Sequence, residues 1–208
     1  MTTGTLAART APRPGFADPV HDAQRVFRTV MTALSRPGLI RSLDSAGLQP
    51  PAPLTPTAAA LALTLLDYDT PLWLDGPLAR SRDVCAWLKF HTGAPVVAQP
   101  LEAAFALVSD PEHMPGLGNF PAGTAEYPDR SATLILQVRQ IADRPGVILS
   151  GPGIASEQPF SAAPLSPLFW DQARENRRLF PRGADILFAA DGRIAGLPRS
   201  TTICKQEA

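Results

Sequence analysis

Two short segments constrain the fold of this chain more than any others. Leu61 to Leu74 reads LALTLLDYDTPLWL, and Phe90 to Pro95 reads FHTGAP. In the first, an apolar helix breaks at Asp67-Tyr68-Asp69-Thr70 and turns directly into a strand, Pro71 to Leu74. The second holds a helix end at His91-Thr92, a glycine stop at Gly93 and the start of another strand, Ala94 to Gln99. Two consecutive helix-to-strand corners with polar groups at the bend predict an α/β layer whose polar residues collect at the sheet edges.

The rest of the chain fits that frame. Asp18-Pro19 opens a helix, since aspartate caps and proline suits the first turn. Val20, Ala23, Phe27, Val30, Met31 and Leu34 then recur at helical spacing, until Arg36-Pro37-Gly38 stops them. Leu39 to Leu43 is a short strand, and Thr55-Pro56 starts the helix that ends at the first corner. Ser81 or Asp83 starts a third helix, with Val84, Trp87, Leu88 and His91 on one face. Ala103 to Val108 and Thr133 to Val138 are apolar enough for buried strands, and Pro111 to Pro121 is a loop rich in glycine and proline. Asp143 to Gly146 reads as a turn, with Val147 to Ser150 returning as a hairpin arm. Pro167 to Phe180 is the last helix, and Ala184 to Ala190 and Arg193 to Leu197 form a hairpin around Asp191-Gly192. Helices alternating with strands, then hairpins, predict a three-layer α/β/α sandwich: a mixed sheet with helices on both faces.

The 208 residues suffice for one domain, read as 18–208, after a flexible N-terminal tail over 1–17. A formal net charge of +0 gives no long-range field to draw in nucleic acid or an anionic membrane, and it does not oppose association. Apolar hairpins leave strand edges that a second copy would cover, which predicts a homodimer. Met1 to Gly15 has no apolar core and no long apolar run follows, so the chain reads as cytoplasmic. Cys85 and Cys204 lie far apart and form no metal spacing.

Few residues nominate chemistry. Asp67 and Asp69 flank Tyr68 and could serve as a paired carboxylate, or could supply acceptors to their own turn. His91, near a helix C-terminus, is a packed histidine or a ligand-binding one. Ser150-Gly151-Pro152-Gly153 reads as a plain turn, since Pro152 lacks the N–H a phosphate cradle needs. The arginines of the last helix sit among Asp171 and Glu175, as on a salt-bridged solvated face. Beyond the last hairpin, Arg199 and Thr201 could hold an anion or seal an edge. No HExxH, GxSxG or SxxK spacing occurs, and no metal set is evident. The only lysines are Lys89, within a helix, and Lys205, in the terminal segment. Neither is placed as a Schiff-base lysine, which argues against a pyridoxal enzyme.

DAQRVFRTVMTALSRPG (Asp22 to Gly38), LTLLDYDTPLWL (Leu63 to Leu74), FHTGAP, GTAEYPDRSATLILQV (Gly123 to Val138), FPRGADILF (Phe180 to Phe188) and LPRSTTI (Leu197 to Ile203) together resemble the PhnH family of the bacterial carbon–phosphorus lyase system. The resemblance runs in order from Asp18 to Ile203. It implies a role in alkylphosphonate catabolism, within a core assembly that also contains PhnG, PhnI and PhnJ. With PhnG, PhnI and, transiently, the ATPase-like PhnL, the family is associated with displacing adenine from ATP by an alkylphosphonate, giving a ribose 1-phosphonate 5-triphosphate. The resemblance also implies a homodimer with a fold similar to the large domain of pyridoxal-dependent transferases, without that cofactor or any other. It carries over no settled catalytic residue. A structural or accessory subunit is therefore the first expectation, and a direct binder of phosphonate or nucleotide through Arg199, Thr201 and His91 the second.

Overall fold

Strands that are apolar at every position must be covered on both faces, and three strands here come close to that description. They are FALV at Phe105–Val108, TLILQ at Thr133–Gln137 and DILFAA at Asp185–Ala190. The structure, a computed structural model describing residues 12–45 and 47–205, places them side by side at the centre of a seven-stranded sheet.

In chain order, helix α1 spans Pro19–Ser35, strand β1 Arg41–Ser42, α2 Pro56–Leu65, β2 Leu72–Leu74, α3 Gly76–Arg80 and α4 Arg82–Thr92. Strand β3 is Val96–Val97, β4 Phe105–Val108, β5 Thr133–Gln137, β6 Gln140–Ser150 and β7 Gln158–Ala163. Helix α5 is Phe169–Arg178, followed by β8 Asp185–Ala190, β9 Arg193–Leu197 and β10 Thr202–Lys205. The large sheet has the order β1-β9-β8-β5-β4-β2-β3. Strands β3, β2, β4, β5 and β8 run parallel, while β9 and β1 are antiparallel additions at one side. The sheet is thus mixed, as the sequence predicts.

The alternation of side chains along each strand divides the core in two. Leu72, Leu74, Leu107, Ile135, Leu187, Ala189 and Ile194 face one way, onto Val26, Val30 and Ala33 of α1, Ala58 to Ala62 of α2, Leu78 of α3 and Trp87 and Leu88 of α4. Ala106, Val108, Leu134, Leu136, Ile186, Phe188 and Ala195 face the other way. That second face is where expectation and structure part. Instead of a purely helical layer, it carries a three-stranded antiparallel sheet, β10-β6-β7, together with α5. Residues 140–150 form one long strand rather than a turn and a returning arm. Their register with β7 slips between Ala142 and Val147, so Asp143 to Gly146 are absorbed as a bulge. Phe160 of β7, wholly buried, stacks within 5.3 Å of Phe188 and so fastens this small sheet to the large one.

Local signals account for the helix ends. Asp18, Thr55, Asp75 and Ser81 each accept a hydrogen bond from a backbone N–H of the helix they cap. The Asp18 carboxyl is held below its ordinary value, chiefly by its hydrogen bond with the His21 side chain. Gly93 ends α4 in the left-handed region at φ 72°, which glycine enters without steric cost. On α1 the apolar repeat splits into two stripes: Val26, Val30 and Ala33 are buried, whereas Val20, Phe27 and Met31 are about half exposed or more, at 63%, 47% and 51%. Of the N-terminal segment, residues 1–11 lie outside the described part. Within residues 12–17, the Arg13 carbonyl is bound to α4 and Phe16 packs on the first core. No described helix is long and apolar enough to cross a membrane.

Candidate functional site

In an open sheet of parallel strands, the connections leave from the carboxyl ends, and a crevice opens where neighbouring strands send their connections in opposite directions. Here that point lies between β2 and β4. From β2 the chain passes through α3 and α4, on the first face, to β3. From β4 it leaves through a loop whose Leu117 and Phe120 pack on the second face, and then reaches β5.

Asp75, 4% exposed, sits at the carboxyl end of β2 and organises the crevice. One of its oxygens accepts from the backbone N–H of Leu78 at 3.2 Å, capping α3. The other accepts from the N–H groups of Ser109, at 2.6 Å, and Asp110, at 2.8 Å, just past the end of β4. The Ser109 hydroxyl donates to the same carboxylate at 3.0 Å. A buried carboxylate with this many donors is a structural clamp.

Above the clamp lies a crevice of about 390 Å³, with Trp73, Arg80, Asp110, His113 and Met114 in its walls. Trp73 is fixed edge-on against Phe120 at 5.5 Å. His113 Nδ1 lies 2.9 Å from the Asp110 carboxylate, which orients the ring. The Arg80 guanidinium folds back over Gly76, where a Cβ would stand 2.8 Å from Nη1. No carboxylate pairs with Arg80 among the described residues. An arginine, a histidine and an indole, set beside the carboxylates of Asp75 and Asp110, make a crevice that can hold a small polar molecule. The described residues contain no cluster of three or more histidine, cysteine or acidic side chains suited to a metal.

The residues singled out from the sequence lie away from this crevice. Asp67 Oδ1 accepts from the Asp69 N–H at 2.9 Å, and Thr70 Oγ1 accepts from the Asp67 N–H at 2.7 Å. The acid pair thus builds its own exposed turn before β2. His91 Nε2 meets the Arg13 carbonyl oxygen at 2.9 Å, and the Trp87 indole donates to that same oxygen at 2.9 Å. With its ring 4.7 Å from the Trp87 ring, His91 pins the N-terminal segment to α4. Arg199 pairs with Asp185, Nη2 to Oδ2 at 2.5 Å and Nε to Oδ1 at 3.1 Å, and also donates to the Pro128 carbonyl. The fork is therefore already filled by a carboxylate. Thr201 is buried, and its hydroxyl has no hydrogen-bond partner among the described residues. Arg199 and Thr201 both lie in the connection from β9 to β10, and among the described residues no hydrogen bond joins His91 to either.

Asp75, Arg80, Asp110 and His113 were not recognised in the sequence. Asp75-Gly76-Pro77 after an apolar strand is a cap signal that could have marked the first of them. His113, in a loop rich in glycine and proline, offers no spacing to go by.

A family model described as bacterial phosphonate metabolism protein (PhnH) matches residues 14–204. Among curated proteins, the chain is 42% identical over 188 residues to the alpha-D-ribose 1-methylphosphonate 5-triphosphate synthase subunit PhnH of Rhizobium meliloti (strain 1021), covering 90% of this chain and 93% of that protein. It is 31% identical over 182 residues to HtxG of Stutzerimonas stutzeri, named as a candidate C-P lyase subunit protein, covering 86% of this chain and 85% of that one.

Proposed function

This chain belongs to the PhnH family of bacterial phosphonate metabolism proteins, and on that premise we propose that it is a subunit of the assembly that makes alpha-D-ribose 1-methylphosphonate 5-triphosphate on the way to carbon–phosphorus bond cleavage. The observation that carries this reading is the extent of the match. A relative 42% identical over 93% of its own length shares a whole domain with this chain, not one motif.

Within that assembly the chain acts as an accessory or structural subunit. Its partners are PhnG, PhnI and PhnL in the step that displaces adenine from ATP by an alkylphosphonate, and PhnG, PhnI and PhnJ in the core particle. In this reading it is a cytoplasmic homodimer without a cofactor. The exposed stripe of Val20, Phe27 and Met31 on α1 supports a protein that works in contact with others. The likeness of its central sheet to the large domain of pyridoxal-dependent transferases is part of the same proposal, and the five parallel strands support it.

A second reading, direct binding of a phosphonate or nucleotide, is favoured by the crevice with Arg80 and His113. It is less favoured at Arg199, whose fork already holds Asp185.

Genetics tests the subunit reading. An in-frame deletion is expected to stop growth on methylphosphonate as the sole phosphorus source, to leave growth on inorganic phosphate unchanged, and to be rescued by a plasmid copy. A deletion strain that grows normally on methylphosphonate contradicts the proposal.

A further inference from the structure

A second cleft opens at the carboxyl edge of the sheet, on its other side from the crevice at β2. It encloses about 420 Å³ and is lined by Ile40, Arg139, Asp143, Arg144 and Arg193, among others. Each arginine comes from a different feature of the topology. Arg139 is in the bend just past the carboxyl end of β5. Arg193 opens β9, directly after the turn that follows β8. Arg144 is carried by the bulge of β6, where the register slips between Ala142 and Val147. All three are exposed, and among the described residues none is in an ion pair. Arg25, Arg174, Arg178 and Arg199, by contrast, are each paired with a carboxylate.

In a chain whose charges sum to +0, three guanidinium groups around one concavity with a single carboxylate, Asp143, are a local excess of positive charge. Guanidinium forks match the oxygens of phosphoryl groups. Because these arginines are open to water, each contributes weakly alone, and a monoanion touching one of them would be held poorly. A ligand that reaches all three at once gains from each.

We propose that the cleft formed by Arg139, Arg144 and Arg193 binds a small molecule carrying a chain of two or more phosphoryl groups. The ligand class is that of the triphosphates in the subunit reading, and the site, which that reading does not assign, rests on the placement of the three arginines.

Calorimetry on the full chain tests it, with inorganic tripolyphosphate, orthophosphate and ATP as probes. Tripolyphosphate and ATP are expected to bind at least about tenfold more tightly than orthophosphate, with affinity falling as salt rises. The R139Q/R193Q double variant is expected to lose about tenfold or more in affinity for tripolyphosphate, and R28Q, on an exposed position of α1, to lose none. Both variants replace exposed side chains, and thermal melts like that of the unsubstituted chain confirm that they are folded. No heat with millimolar tripolyphosphate overturns the proposal, as does binding that R139Q/R193Q leaves intact. ATP binding without tripolyphosphate binding overturns it too, because the recognition would then lie with the nucleoside. If tripolyphosphate never binds but R139Q/R193Q weakens association with partner subunits, the cleft is a protein-contact face and the proposal is wrong. Each of these failures leaves the growth test of the subunit reading standing.

Discussion

Asp75→Ala is expected to destabilise the fold by about 3 kcal/mol, because it strands the N–H groups of Leu78, Ser109 and Asp110 that one carboxylate now satisfies. For a chain of this length that corresponds to a fall in melting temperature of about 10 °C. The site concentrates the loss. It ties the end of β2 to the end of β4 and caps α3, so three segments lose their anchor together. Asp75→Asn is expected to fall between, since its amide oxygen still accepts while its NH2 faces donors. Asp69→Ala, at an exposed position whose side chain makes no hydrogen bond among the described residues, is the comparison and is expected to change stability by about 0.5 kcal/mol or less. Thermal unfolding followed by circular dichroism reads all three. An Asp75→Ala protein as stable as the Asp69→Ala protein contradicts the assignment of Asp75 as a clamp.

Gly196→Ala is expected to cost a similar amount for the opposite reason, too much material instead of too few bonds. A Cβ at Gly196 would stand 2.5 Å from the Ala33 carbonyl oxygen and 2.9 Å from the Leu34 nitrogen, both backbone atoms of α1. Backbone of a packed helix yields poorly, so α1 and β9 must separate, at a cost of about 3 kcal/mol. The Gly196 carbonyl also accepts from the Gly38 N–H at 3.0 Å, so the turn after α1 is disturbed with it. Gly118→Ala is the control: nothing lies within 4 Å of its Cβ position, and its effect is expected to be neutral or stabilising. Urea titration of the two variants separates them. Equal midpoints contradict the close approach of α1 to β9.

Features set by neighbours in sequence were legible; those set by distant segments were not. Thr55-Pro56, Asp18-Pro19 and Gly93 delimit helices through bonds to residues a few positions away, and the structure has them as read. The Asp191-Gly192 hairpin is of the same kind. So are the ion pairs of α5, Arg174 with Asp171 and Arg178 with Glu175. Asp143 to Gly146 look locally like a turn, yet they become a bulge because β6 pairs with β7 and β10, and that choice is made by residues far along the chain. The crevice follows the same rule. Asp75, Asp110 and His113 converge only because β4 is laid beside β2. The acid pair Asp67 and Asp69 drew notice because it forms a compact local motif, and its geometry is that of a motif serving its own turn. The family resemblance, resting on six ordered segments, reached further than any single residue did.

On the reading proposed, this chain contributes to phosphonate chemistry as one subunit among several. The most direct measurement is adenine release from ATP in the presence of methylphosphonate, with purified PhnG, PhnI and PhnL, with and without this chain. Release is expected from the complete mixture, its loss when this chain is left out, and none from this chain alone. Release that proceeds unchanged without the chain, or sustained release by the chain alone, would contradict that reading.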